Sequence, residues 1–310
     1  MDDFRKEVIK ELEKKLGDGY RVFPKDQRKN NEVFLHGICI REGESPIAPV
    51  VYVDEFMVPY IIGILTPENV ADILLESLSQ GTIPLDIAED VKDFEKIKEM
   101  VSIRLVNHAA NARELENRPH RRFLDLAIVY YLDMEMAMPG QSGAGVITDT
   151  LMEIWGIPED ELYRLGMEKL LAKDACRTVE LLSLLRQFGL EEENGPEEKV
   201  AAESLKDRNL PELYVASNRK HFYGASCMLN TTFLEKMAED KGCSLMIYPG
   251  SVHEVIILPQ KNGGGECLDA KSVQEINQCC TLRDEWLSNS VYRYDREKQE
   301  ICIYAKGEPL

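Results

Sequence analysis

The chain has 310 residues and a formal net charge of −18, with 55 acidic side chains against 37 basic ones. This length corresponds to about two domains whose core needs neither a metal nor disulfides. A composition of 44% hydrophobic and 30% charged residues excludes wholesale disorder and collagen-like repeats. Because the negative charge repels phosphate backbones and anionic lipid surfaces, we expect no non-specific binding to nucleic acid or membranes.

The start of the chain predicts a cytoplasmic protein. Its first seven residues, MDDFRKE, lack the apolar stretch of a secretory signal, and no apolar window approaches the roughly 18 residues of a membrane helix. The eight cysteines show no CxxC motif and no paired Cys/His spacing, so we expect no metal, no cofactor and no disulfide framework. We expect reduced thiols that are mostly buried: Cys39, Cys176, Cys227, Cys243, Cys267, Cys279, Cys280 and Cys302.

The first hundred residues predict helices and short strands. An apolar stripe with helical spacing predicts a helix that ends at Gly17. Thr66 before Pro67 is typical of a helix N-terminus, and Gly81 of its end. A second helix is predicted over residues 87–99, and strands are predicted at 20–23, 33–40 and 50–53, with a turn at 25–31.

The rest of the chain predicts paired strands and grouped helices. The run 123–132 has the composition of a long strand buried on both faces, and residues 140–147 are expected to turn back and pair with it. Further strands are expected at 101–106, 213–216, 244–248, 252–258, 291–294 and 301–304. Helices are expected at 148–155, 158–170, 179–188, 223–238 and 268–287.

The order of these elements predicts an α+β fold of mixed, mainly antiparallel sheets flanked by helices, because regular βαβ alternation is missing. We expect two lobes, residues 1–100 and residues 101–310. The acidic stretch around Gly195 and Pro196, within 191–204, predicts an exposed insertion or linker.

Two motif fragments suggest catalysis without specifying it. His253 and Glu254 match half of the HExxH zinc motif, but Ile257 occupies the position of the second histidine. We therefore interpret the pair as local hydrogen-bonding groups at a strand edge. Cys227 with His221 and His253 could supply a thiol nucleophile and its base, whereas a buried thiol would be inert.

A basic cluster is the most distinctive polar feature of this acidic chain. Grouped guanidinium groups can bind a phosphate or a carboxylate. The alternative is internal compensation by neighbouring carboxylates. The cluster comprises Arg113, Arg118, His120, Arg121 and Arg122.

Five blocks of the sequence stand out by their order and spacing: RLVN at 104–107, PHRRFLDLAIVYY at 119–131, LYVASN at 213–218, YGASCML at 223–229 and PGSVHE at 249–254. Together they resemble a bacterial family of cytoplasmic proteins of unknown function. The resemblance spans nearly the whole chain and implies no activity, cofactor or catalytic residue. It places Asn107, His120, Asp125, Asn218 and His253 inside recurring blocks, with the acidic stretch between blocks.

Three functions stay open from the sequence. The first is a binding or regulatory module with a groove between two lobes for a protein or a small anionic ligand. The second is a hydrolase-type enzyme that uses His120, Asp125, His253 or Cys227. The third is a nucleic-acid-directed role linked to mobile elements, which depends on the basic cluster alone and is opposed by the net charge.

Overall fold

The computed structural model describes residues 1–43, 48–79, 90–136, 143–181, 183, 212–260 and 267–310. The chain divides into two compact units, Met1–Glu99 with Asp133–Gly143, and Met100–Leu132 with Ala144–Leu310. The predicted division into lobes 1–100 and 101–310 stays a prediction. The predicted acidic insertion at 191–204 lies outside the described residues.

The first unit packs two helices on a small antiparallel sheet. The sheet has the order β1-β4-β5, and β2 and β3 pair beside it. The apolar stripe of α1 (Phe4, Val8, Leu12) is buried with Val70 and Leu74 of α3. The elements are α1 (Asp2–Leu16), β1 (Tyr20–Pro24), β2 (Gln27–Arg28), β3 (Phe34–Leu35), β4 (Gly37–Glu42), β5 (Val50–Tyr52), α2 (Met57–Ile61), α3 (Pro67–Ser79) and α4 (Phe94–Ile97).

The predicted ends of these helices are confirmed where the chain is described. Gly17 ends α1 with φ 75°, a conformation that costs glycine little. The Thr66 hydroxyl accepts a hydrogen bond from the Asn69 amide at 3.2 Å and caps α3. The predicted end of α3 at Gly81 lies outside the described residues. In place of the helix predicted for 87–99, α4 covers only Phe94–Ile97 within the described residues. The Asp93 side chain accepts a hydrogen bond from Glu95 N and so caps the N-terminus of α4.

The second unit begins with a four-stranded antiparallel sheet. Strand β8 lies between β6 and β7, and β9 also pairs with β8, as predicted. The elements are β6 (Val101–Asn107), α5 (Ala112–Leu115), β7 (His120–Phe123), β8 (Leu126–Asp133), β9 (Ala144–Val146), α6 (Asp149–Trp155) and α7 (Glu159–Leu171). The strand predicted for 123–132 is confirmed from Leu126 as β8, which is buried on both faces, but its predicted start at Phe123 is wrong. A tight turn at Leu124, whose φ is 56°, separates β7 from β8.

A six-stranded antiparallel sheet completes the second unit, in the order β10-β11-β13-β12-β14-β15. The elements are β10 (Cys176–Glu180), β11 (Tyr214–Asn218), a 3-10 helix (Gly224–Leu229), α8 (Thr231–Lys241), β12 (Leu245–Pro249), β13 (Val255–Pro259), α9 (Ala270–Cys280), β14 (Val291–Asp295) and β15 (Glu300–Ala305). The predicted α+β class with antiparallel sheets is therefore confirmed.

Two predicted helices of this unit are corrected at their N-terminal ends. Of the helix predicted for 179–188, residues 179 and 180 belong to β10, because residues 176–180 pair in register with β11. Residues 181 and 183 are helical, and residues 182 and 184–188 lie outside the described part of the chain. The helix predicted for 223–238 begins later, since the Asn230 side chain accepts a hydrogen bond from Phe233 N at 2.9 Å and sets the N-terminus of α8.

The sequence also predicted that the cysteines are mostly buried and that no helix spans a membrane. None of the eight cysteines forms a disulfide; two are buried, three half-buried and three exposed, so the prediction of mostly buried thiols is wrong. Among the described residues, no helix is long and apolar enough to cross a membrane.

Candidate functional site

The five basic residues singled out by the sequence do not share one surface. Strand alternation places His120 and Arg122 on one face of β7 and Arg121 on the other. Arg113 is exposed on α5. The partners of the other four differ from residue to residue, so the cluster divides into separate contacts.

Arg121 is neutralised within the second unit. Its guanidinium donates to Glu159 Oε2 at 2.6 Å and to Asp160 Oδ1 at 2.5 Å. It also lies over the Tyr163 ring, with Cζ 3.9 Å from the ring centroid. The hydrogen bond to Glu159 is the main reason that the pKa of Arg121 is raised.

The histidines of this region contact Arg122 and the backbone. Arg122 donates to Leu124 O and lies 3.0 Å from His108 Nδ1, while His120 Nδ1 lies 2.9 Å from Arg118 O. Burial, followed by the charge of Arg122, lowers the pKa of His108. His108 is therefore neutral near pH 7 and can accept the hydrogen bond from Arg122.

We expect Arg121→Gln to lower the free energy of unfolding by about 1 kcal/mol, because its ion pairs are partly exposed. Urea unfolding would measure the loss, which should shrink at high salt. Arg122→Gln is the matched control, with a smaller expected loss because Arg122 is exposed and has no carboxylate partner within 4 Å among the described residues. A loss of 3 to 5 kcal/mol for Arg121→Gln would contradict this expectation and indicate a fully buried pair.

Asp125 lies in a buried polar network of the second unit. Its Oδ2 accepts hydrogen bonds from the hydroxyls of Ser288 at 2.8 Å and Ser290 at 3.0 Å, and its Oδ1 accepts one from Tyr292 at 2.8 Å. Burial, followed by the Asp125 charge, raises the pKa of Tyr292 well above its usual value. The phenol therefore stays protonated and donates to the carboxylate, an arrangement typical of a structural group.

The remaining polar candidates make mainly structural contacts. Asn107 donates to Leu287 O at 3.2 Å, and Glu254 closes a turn with Ser251. Cys227 is fully buried, and His221 has a positive φ of 51°. Among the described residues, no group of three or more His, Cys, Asp or Glu side chains is arranged to hold a metal ion.

Several aromatic and basic side chains surround the ring of Tyr223. The His253 ring is stacked on it with centroids 5.5 Å apart, Tyr131 meets it edge-on at 5.2 Å, and Arg104 Cζ lies 4.4 Å from its centroid. Phe222 packs beside it at 4.1 Å. We call Arg104, Arg118, Tyr131, Phe222, Tyr223 and His253 the Tyr223 site.

Asn218 shapes the loop that carries Tyr223. Its Nδ2 donates to Phe222 O at 2.7 Å, and its Oδ1 accepts from the amides of Lys220 and Phe222 at 3.0 and 3.2 Å. The loop places both His221 and Tyr223 in the left-handed region, with φ of 51° and 54°. Non-glycine residues in this region are strained, and such strain is concentrated at functional sites.

His253 is held by one hydrogen bond to its ring and one from its backbone. Its Nδ1 accepts a hydrogen bond from Tyr223 N at 3.1 Å, and its backbone amide donates to Ser251 Oγ at 2.9 Å. Because an amide only donates, Nδ1 carries no proton, and a neutral ring holds its proton on Nε2. Nε2 lies 3.7 Å from Glu285 Oε1.

Among the described residues, one arginine of the Tyr223 site is paired with a carboxylate and the other is not. Arg118 is bound to Glu114 Oε2 at 2.5 Å. Burial, with repulsion from neighbouring Arg104, lowers its pKa. Arg104 has no carboxylate within 4 Å among the described residues, and its Nε is buried without a hydrogen-bond partner. A guanidinium in this state attracts an anion, because its desolvation is not otherwise offset.

Four residues of this site were not predicted as site residues from the sequence: Arg104, Tyr131, Phe222 and Tyr223. Arg104 and Ser102 alternate with buried Val101, Ile103 and Leu105 along β6, and this pattern could have indicated an arginine on the opposite face. The aromatic residues gave a weaker signal, because Tyr131 lies in an apolar run and the Phe222-Tyr223 pair lies in a loop. His253 and Arg118 were identified from the sequence.

The fold and this site define an acidic α+β protein of antiparallel sheets with an arginine–aromatic site in its second unit. The chain belongs to DUF5688, a family of unknown function whose sequence profile matches residues 1–296. The resemblance to a family of unknown function is thereby confirmed. Searches of curated proteins and of solved structures give no significant match.

Proposed function

We propose that this protein is a binding or regulatory module that takes up a small oxyanion, a carboxylate or a phosphate, at the Tyr223 site. The observation that carries the proposal is Arg104, a half-buried cation with a buried, unpartnered Nε and with the Tyr223 ring beneath its guanidinium. A bound oxyanion would pair with the charge of Arg104, which has no carboxylate within 4 Å among the described residues.

The site suits a small anion for two further reasons. Arg118 lies near Arg104, and the carboxylates of this region contact other groups, since Glu114 binds Arg118 and Glu285 lies 3.7 Å from His253 Nε2. All six residues of the Tyr223 site belong to the second unit, and the surrounding rings offer flat apolar surface to a planar ligand. A carboxylate on an aromatic ring would use both features. The cytoplasmic location stays part of this proposal.

The contacts favour binding over the hydrolase alternative. Both oxygens of Asp125 accept hydrogen bonds from hydroxyl groups, and Nδ1 of His253 accepts one from a backbone amide. Cys227 is fully buried. Each of these groups already has a structural partner or lacks access to solvent. The nucleic-acid alternative loses support as well, because two carboxylates neutralise Arg121.

We expect phosphate or benzoate to stabilise the protein in a saturable way that Arg104→Gln abolishes. A ligand at ten times its Kd raises the free energy of unfolding by about 1.4 kcal/mol. Thermal unfolding would be followed in phosphate, acetate and benzoate, with chloride at matched ionic strength as the reference. A larger effect of benzoate than of acetate is expected if the aromatic rings contact the ligand.

Arg164→Gln is the matched control, because Arg164 is an exposed arginine already bound to Glu161 and Glu168. It should keep the full anion response. Without anion, Arg104→Gln should unfold no earlier than the native chain, since the substitution removes the repulsion between Arg104 and Arg118. An Arg104→Gln variant that is destabilised but responds normally to anions would refute the proposal and assign Arg104 a structural role.

A further inference from the structure

Two cysteines from distant parts of the sequence meet in the second unit. Cys176 is the first residue of β10, at the edge of the six-stranded sheet, and is half-buried. Cys227 lies in the 3-10 helix that follows Tyr223 and is fully buried. Both residues contact Asn230, and the interaction between the two thiols is the largest cause of the pKa shift of each.

Asn230 holds both cysteines in place. Its Nδ2 donates to Leu170 O at 2.8 Å and lies 3.6 Å from Cys176 Sγ. Its backbone amide donates to Cys227 O at 3.0 Å. Since Asn230 is itself buried, these bonds hold the Cys176 sulfur and the backbone of Cys227 against the same residue.

The environments of the two thiols differ. Hydrogen bonds from Cys227 and from Asn230 to its sulfur lower the pKa of Cys176. The hydrogen bond to Cys176, together with burial, raises the pKa of Cys227. A thiolate is the reactive form of cysteine, and Cys176 is also the more exposed of the pair.

We propose that Cys176 and Cys227 are a reversible oxidation site, at which a hydroperoxide converts the dithiol into an intramolecular disulfide. The Cys176 thiolate attacks one peroxide oxygen, the O–O bond breaks, and a sulfenic acid and hydroxide form. The Cys227 sulfur then attacks the Cys176 sulfur, so that the S–S bond forms and the S–O bond breaks. Water leaves with the proton of Cys227. In total, two thiols lose two electrons and hydrogen peroxide becomes two waters.

The oxidation site of Cys176 and Cys227 and the proposed anion site consist of different residues. Cys176 pairs with Asn218 across β10 and β11, and Asn218 shapes the loop that leads to Tyr223. The disulfide would therefore connect the edge strand to the 3-10 helix on the far side of that loop.

The test uses a chain in which the three exposed cysteines are replaced, Cys279→Ser, Cys280→Ser and Cys302→Ser. After treatment with stoichiometric hydrogen peroxide, free thiols would be counted under denaturing conditions and the chain digested with trypsin without reduction. We expect the loss of two thiols per chain and a linked pair of peptides, 174–177 with 221–236. A reductant should restore both thiols.

Two variants of this chain locate the chemistry. In Cys227→Ser, Cys176 should stop at the sulfenic acid, which dimedone would trap. Cys243→Ser is the matched control, because Cys243 is also half-buried, and it should form the crosslink normally. The proposal fails if Cys176 does not react before Cys243, if its sulfenic acid persists while Cys227 is present, or if the linked peptides contain other cysteines.

Discussion

Asp125→Ala is expected to lower the free energy of unfolding by about 4 kcal/mol. The substitution leaves the hydroxyls of Ser288, Ser290 and Tyr292 without their acceptor, and all three residues are buried. An unsatisfied buried polar group costs about 1 to 3 kcal/mol, and hydroxyl groups recover part of this by rotating toward other acceptors. Urea unfolding of the variant would measure the loss.

The free energy of unfolding of Asp125→Asn should lie between those of the native chain and Asp125→Ala. Asparagine keeps one carbonyl acceptor but has an NH2 donor in place of the other oxygen. Asp174→Asn is the matched control. Asp174 is largely exposed, lies 3.5 Å from Arg219 and has a positive φ that asparagine tolerates, so a change within about 0.5 kcal/mol is expected. If Asp125→Ala were as stable as the native chain, Asp125 would not have a structural role as hydrogen-bond acceptor. It would then again be a candidate catalytic group.

Elements with local signals were predicted from the sequence. The cap at Thr66, the glycine at the end of α1 and the hairpin of β12 and β13 depend on residues a few positions apart. Such signals can be read without knowing the rest of the fold. The start of α8 was missed although Asn230 is a typical N-cap residue, because the apolar spacing continues through the 3-10 helix before it.

Elements fixed by distant partners were not predicted. The turn at Leu124 lacks the Asn-Gly or Asp-Gly pair typical of a hairpin, and Asp125 beside it is bound by residues more than 160 positions further along the chain. The last two residues of β10, 179 and 180, were assigned to a helix, because the register of β10 with β11 depends on residues 214–218. Tertiary contacts override local preference in both cases.

The candidate site shows the same limit. Composition alone drew attention to the basic residues from 113 to 122, but it does not show which arginine has a carboxylate partner. Arg121 is neutralised by Glu159 and Asp160, nearly forty positions away. Arg104 became notable only when the structure showed no acidic partner for it among the described residues. Charge compensation is a property of the fold, so the sequence could name candidates but not choose among them.

Gly224→Ala is expected to lower the free energy of unfolding by about 3 kcal/mol and to abolish the anion response. A Cβ at position 224 would lie 2.6 Å from the backbone nitrogen of Asn218 and 2.6 Å from the carbonyl oxygen of His253, and it would also overlap Ser217 Oγ. Backbone atoms at the end of β11 and in the turn of His253 would have to move apart, and overpacking of this kind costs about 1 to 3 kcal/mol or more. The same movement would break the hydrogen bond from Tyr223 N to His253 Nδ1, which orders the rings of the Tyr223 site.

Gly19→Ala is the matched control, because no heavy atom lies within 4 Å of a Cβ at that position, and it should keep both stability and anion response. Urea unfolding and titration with phosphate and benzoate would be measured on both variants. If Gly224→Ala kept native stability and a native anion response, the close packing of this loop against His253 would not be what orders the site.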